Sequence, residues 1–171
     1  RYIASSLAAD GHTTELVVFN SEADFGPVVE TILATSPVVV GISLMTSTSL
    51  RGYEIAGDFR KRGIPVVLGG MHVFFMQDEA LVHADALVVG EGEYAWNDLL
   101  DDFLAGRLKK SYRAERLHDL KGLPRPRLDL LRPGAYSFPN VVETSRGCPN
   151  RCNYCAVTEF WGTKFRFRPV E

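Results

Sequence analysis

All three cysteines of this 171-residue chain fall within one short stretch, Glu143 to Ala156. Cys148, Cys152 and Cys155 form a C-x3-C-x2-C loop. The apolar and β-branched residues Val141, Val142 and Thr144 lead into it and predict a strand, which Arg146, Gly147 and Pro149 break. Three thiolates on one Gly/Pro-punctuated loop at a strand end can converge on one soft metal centre. Three is the informative number, because an iron–sulfur cluster that only carries electrons normally has four cysteine ligands. A [4Fe–4S] cluster held by three has one iron open to another ligand. The alternative is a zinc knuckle completed by a distant histidine, although zinc sites usually bring their cysteines in C-x2-C pairs. A disulfide framework fits an odd cysteine count poorly, and nothing resembles a signal peptide.

The spacing resembles that of the radical S-adenosylmethionine (radical SAM) enzymes. The resemblance implies a [4Fe–4S] cluster on Cys148, Cys152 and Cys155 whose open iron binds the methionine moiety of S-adenosylmethionine. Reductive cleavage then yields a 5′-deoxyadenosyl radical. It also implies that Tyr154, the residue before the last cysteine, lies against the adenine. Gly162 to Pro169 resembles the glycine-and-arginine segment that follows the cluster loop in many radical SAM proteins, so Arg166 or Arg168 is expected on the S-adenosylmethionine side. A solvated basic strand is the alternative there.

These residues need a scaffold, and the chain is long enough for one full domain plus part of a second. With 46% hydrophobic and 23% charged residues the composition is that of an ordinary globular protein. No apolar run approaches the roughly 20 residues needed to cross a bilayer. The net charge of −2 hides an uneven distribution. Residues 1–106 carry 5 Lys/Arg against 15 Asp/Glu, whereas 107–132 carry 9 against 3. That change of sign marks a boundary, giving an α/β domain over 1–106, a basic, proline-rich linker over 107–138 and the start of a second domain over 139–171. The linker reads as a solvated connector lying along the acidic domain. Its other reading, a track for nucleic acid, lacks the aromatic interleaving of a single-strand platform.

Within 1–106 the pattern alternates. Helices are predicted up to Ala9, over Phe25–Ala34, Ser49–Arg62, Asp78–His83 and Glu91–Leu104, and strands over Glu15–Phe19, Val38–Ser43, Pro65–Leu68 and Ala86–Val89. Val38, Val39, Val40 and Ile42 suit a strand buried on both faces. The alternation indicates right-handed βαβ units and a parallel sheet. A flavodoxin/Rossmann-like order would place a further, central strand upstream of Arg1. The chain begins in mid-helix and stops just past the cysteine loop, so it reads as a piece of a longer parent. The strand into the loop is expected to be the first of a radical SAM α/β barrel, and no turnover is expected of the piece alone.

Val40 to Ser43, Val67 to His72 and Asp85 to Glu93 resemble, in order and spacing, the cobalamin (B12)-binding domain that precedes many radical SAM barrels. The resemblance implies cobalamin at the carboxyl edge of the sheet, with Ser43, Thr46, Gly69, Gly70, His72, Gly90 and Glu91 on the cobalamin side. Gly69 and Gly70 allow close backbone approach and Glu91 offers a carboxylate to the corrin amides. Plain turn chemistry for the glycines and helix capping for Ser43 to Ser49 are the alternatives. His72 matches no lower-ligand motif, nor does His12; His83 and His118 carry no motif.

Together the resemblances imply a cobalamin-dependent radical SAM enzyme, commonly a methyltransferase acting on an unactivated carbon of a small-molecule or lipid-like substrate. They imply a reducing partner such as a flavodoxin or ferredoxin, and a cytoplasmic setting for an oxygen-sensitive cluster. Two rivals remain: an N-terminal domain that has lost cobalamin and serves as a docking module, and an RNA methylthiotransferase, which carries three further cysteines that this chain lacks.

Overall fold

The computed structural model describes residues 2–17, 25–114, 119–131 and 142–170. Its centre is a parallel sheet of four strands in sequential order, β1 (Val40–Ser43), β2 (Val66–Gly69), β3 (Ala86–Val89) and β4 (Ser111–Arg113). The middle strands are uninterrupted apolar runs, buried apart from Gly69, as a sheet covered on both faces demands. Each parallel connection crosses over through helix: α3 (Ser49–Lys61), then α4 (Met71–Phe75) and α5 (Gln77–Val82), then α6 (Gly92–Leu104), after α1 (Tyr2–Ala9) and α2 (Phe25–Leu33).

Strand alternation divides the core in two. Val66, Leu68, Leu87 and Val89 face Tyr53, Ile55, Ala56 and Phe59 of α3, with Val29, Val73 and Ala80 beside them. Val67, Ala86 and Val88 face Ala95, Leu99 and Leu100 of α6, with Leu7 of α1 and Tyr112 of β4. The expected α/β sheet is present, with four differences in its elements. β1 is not buried on both faces: it starts at Val40, the one residue it buries, and Val38 lies outside it and is exposed, because among the described residues β1 stands at the end of the strand order. Glu15 to Val17 form no strand, and Val18 and Phe19 lie outside the described residues. A short helix, α4, follows the Gly69-Gly70 turn where none was predicted. The sheet also runs past Gly106, because β4 pairs Leu87, Val88 and Val89 with Ser111, Tyr112 and Arg113. Among the described residues β1 pairs with β2 alone.

Basic residues at the start of the linker serve the sheet. The buried Asp102 accepts from Arg107 Nε at 2.7 Å and from the Tyr112 hydroxyl at 3.2 Å, and pairs with Lys109 Nζ at 2.8 Å. Hydrogen bonds from Lys109 and Arg107 hold its carboxyl down at about 2. Farther on, Leu120 and Leu123 are buried, and 3-10 turns form at Leu120–Gly122 and Leu128–Leu130.

The cysteine segment is closed at its base by β5 (Ser145–Arg146) and β6 (Arg166–Phe167), with α7 (Val157–Trp161) between them. The strand predicted from Val141 to Thr144 therefore differs in place and partner. Val142 is exposed and Val141 lies outside the described residues; the strand starts at Ser145 and pairs antiparallel with β6.

Candidate cofactor sites

At the carboxyl ends of β1 and β2 the chain crosses itself closely. Leu44 N–H donates to Gly69 O at 2.8 Å, and His72 N–H to Leu44 O at 3.1 Å. Gly70 has φ of 95°, and a Cβ there would sit 2.7 Å from Leu44 O and 2.8 Å from Ser43 Oγ. Gly70 is thus required by the protein's own crossing as well as by its left-handed backbone. Ser43 and Thr46 are exposed on this edge. Met45, Leu50, Phe75 and Met76, in segments that leave the same strand ends, also expose large apolar side chains.

His72 points the other way. Its ring is buried, with Nε2 3.0 Å from the Tyr53 hydroxyl and 3.4 Å from Glu79 Oε1, and Nδ1 3.4 Å from Thr46 Oγ1. Tyr53 in turn stacks on His83 at 4.1 Å. Burial, then the hydrogen bond with Glu79, pushes the Tyr53 phenol up to about 12, so it stays a neutral O–H at physiological pH.

The carboxyl end of β3 carries a second arrangement. Gly90, with open space beside it, turns the chain into Glu91 and Glu93 at the head of α6. Both carboxylates are buried, with side-chain exposures of 1% and 8%. Arg146 Nη2 donates to Glu93 Oε1 at 2.5 Å, Arg146 Nη1 lies 3.7 Å from Glu91 Oε1, and Arg146 Nε donates to Glu143 at 2.9 Å. The same guanidinium lies over the Trp161 ring, 4.6 Å from its centroid. Burial opposes the Arg146 charge, but hydrogen bonds to Glu93 and Glu143 outweigh it and lift the group above its ordinary range. Arg166 donates from Nη1 to Glu91 Oε2 at 3.0 Å, and its Nη2 reaches Glu91 Oε1 and the Trp161 carbonyl. Arg168 donates to the Pro124 carbonyl at 3.1 Å.

Two residues assigned from sequence to different cofactors, Glu91 and Arg166, therefore meet each other. Glu93, Glu143, Arg146 and Trp161 complete the group and were not singled out for it. The isolated opposite charges of Glu93 and Arg146, each beside a motif, were the only signal in the sequence.

The cysteine loop hangs from this ion cluster. Gly147 has φ of 88°, and a Cβ there would lie 2.1 Å from Lys164 O. Cys148 N–H donates to Gly162 O at 3.1 Å, Cys155 N–H to Cys152 O at 3.1 Å, and Thr158 Oγ1 to Asn150 O at 2.8 Å. All three cysteines are free thiols, Cys152 exposed and the others half-buried. Tyr154 is 88% exposed beside them. Among the described residues no three His, Cys, Asp or Glu side chains gather to hold a metal ion. Phe160 of α7 packs edge-on against Phe74 of α4, with centroids 5.1 Å apart, so the segment is docked on the α/β layer.

The glycine-punctuated strand ends, with hydroxyls and apolar side chains exposed on one edge of a parallel sheet, coincide with a family match over residues 1–100, to the B12 binding domain. The chain belongs to the B12-binding-domain family. The B12-binding domain here is similar to curated methyltransferases. The chain is 41% identical, over 75% of its length, to bacteriochlorophyllide d C-8(2)-methyltransferase of Chlorobaculum tepidum, and 28% identical, over 78%, to the C-12(1)-methyltransferase of that organism. It is 28% identical, over 99% of its length, to an uncharacterized methyltransferase of Pyrococcus horikoshii. It spans 30%, 30% and 42% of those relatives. Among the described residues no helix is long and apolar enough to cross a membrane.

Proposed function

We propose that this chain is the B12-binding domain and cluster loop of a radical SAM methyltransferase that adds a methyl group to an unactivated carbon. The observation that carries the reading is the seating of a three-cysteine loop on the carboxyl edge of a B12-binding sheet, through Arg146, Arg166, Glu91 and Glu93. When bound, cobalamin supplies methyl transfer, and a [4Fe–4S] cluster supplies the electron that cleaves S-adenosylmethionine.

Cys148, Cys152 and Cys155 are free thiols on one loop, the donor set such a cluster takes. A cluster accepts one thiolate per iron, so the loop has no need to bring its sulfurs to a single point. Tyr154 offers an exposed aromatic face to the adenine, and Arg168, just past β6, is the arginine on the S-adenosylmethionine side. On the cobalamin side, Ser43 and Thr46 present hydroxyls to amide groups, Gly69 and Gly70 keep the strand ends low, Gly90 leaves space, and Met45, Leu50, Phe75 and Met76 exclude water. His72 acts from beneath, holding Thr46 rather than reaching cobalt. The two Chlorobaculum relatives are named as methyltransferases at numbered carbons, which supports carbon as the acceptor. A small-molecule or lipid-like substrate and a flavodoxin- or ferredoxin-type reductant complete the reading.

The test is anaerobic reconstitution of the natural-length protein with iron, sulfide and hydroxocobalamin, followed by metal analysis and an absorption spectrum. About four irons and about one cobalt per chain are expected, with the irons lost and the cobalt kept in Cys152→Ala. Zinc in place of iron would overturn the cluster, and four irons without cobalt would reduce the N-terminal domain to a docking module.

A further inference from the structure

We propose that Glu91 and Glu93 of the B12-binding domain are positioning residues for the cysteine loop, clamping its base shut through Arg146 and Arg166. The proposal rests on the cluster reading above for its consequence, though not for its geometry.

The loop from Gly147 to Phe165 is closed by a ribbon of two residues per strand. Even a complete isolated hairpin is at best marginally stable, so this ribbon needs support from outside. Its register makes the need sharper, because Arg146 stands directly opposite Arg166. Like charges across an antiparallel pair destabilise it. Both guanidinium groups are also withdrawn from water, at 3% and 13% exposure, where an uncompensated charge is strongly disfavoured. The turn after β3 supplies the compensation. Glu93 takes Arg146, while Glu91 reaches both arginines and bridges the two strands. Trp161 covers Arg146 and accepts from Arg166 through its carbonyl, tying α7 to the same cluster. Glu143, two residues before β5, pairs with Arg146 as well, while the carboxylate of Glu91 is shared by both strands. The loop's closed form therefore depends on two carboxylates that belong to the other cofactor's domain. Removing them leaves the thiols untouched and loosens the frame that holds them.

The test compares full-length wild type with Glu91→Gln/Glu93→Gln and with Glu91→Asp/Glu93→Asp, which keeps the charge. Two readouts are taken: trypsin cleavage after the exposed Arg151 in metal-free protein, and iron retained after anaerobic reconstitution and desalting. The Gln pair is expected to be cut about tenfold faster and to lose most of its iron, with circular dichroism unchanged. The Asp pair should recover part of both. Should the Gln pair fail to fold, Arg166→Gln tests the clamp from the loop side, with the same expected effects. Wild-type cleavage rate and iron content in a folded Gln pair or in Arg166→Gln would overturn the proposal. A wild type that takes up no iron would overturn the cluster reading, while the trypsin comparison would still decide the clamp.

Discussion

At the scale of single residues, the sharpest constraint in the cysteine loop is a missing side chain. Gly147 stands between Arg146, fixed in the ion cluster, and Cys148, whose N–H is fixed to Gly162. Its φ of 88° lies in the left-handed region, and the Lys164 carbonyl fills the place a Cβ would take. The obstruction is backbone, which cannot swing aside as a long side chain would. Gly147→Ala therefore combines conformational strain of about 1–3 kcal/mol with a clash that forces β5 and β6 apart. Iron uptake should fall severely while cobalt uptake stays at the wild-type level. Iron and cobalt analysis of the same preparation checks this, and unchanged iron would show that the loop closes by another path.

At the scale of elements, β4 shows how local chemistry can hold a strand that sequence pattern does not announce. Ser111 to Arg113 buries only Tyr112, too little for period-two alternation to register, and it follows a basic run that reads as linker. What holds it is Asp102, gathering Tyr112, Arg107 and Lys109 at the end of α6. Lys109 and Arg107 depress the Asp102 carboxyl to about 2, below the unfolded value of about 3.9. The stability this contributes is present above the unfolded value and is lost as pH falls from about 4 through 2. Asp102→Asn should flatten that part of the acid limb, read from urea midpoints at stepped pH; an unchanged slope would remove Asp102 from the account. β2 and β3 were legible because doubly buried strands are continuous apolar runs, β1 because its run of β-branched residues marks a strand even where only Val40 is buried, and the cysteines because ligand spacing is local. Short α4 and β4 were not, since neither spans two full periods of its pattern. Nor was the meeting of Glu91 with Arg166, 75 residues apart. Each was visible as a charge beside a motif, but the sequence carries no sign of which partner a buried charge will find.

At the scale of the whole molecule, the cysteine segment and the B12-binding domain share a core contact as well as charges. Phe160 is 6% exposed and meets Phe74 of α4, which itself lies under the Arg113 guanidinium at 5.2 Å. That chain of contacts runs from β4 through α4 to α7, so the loop's helix rests on the same layer that closes the edge of the sheet. Buried aromatic contact and a desolvated ion cluster reinforce each other, because the aromatic packing excludes water from the charges and the charges fix the angle of the packing. Two bodies joined in this way should unfold in a single transition. Phe160→Ala removes a buried ring worth about 3–5 kcal/mol and admits water to Arg146 and Glu93, while leaving both sheet-face clusters whole. Calorimetry of the variant should resolve a low-temperature transition for the cysteine segment ahead of an almost unshifted one for the α/β domain. A single transition at the wild-type temperature would mean that the ion cluster alone joins the two parts.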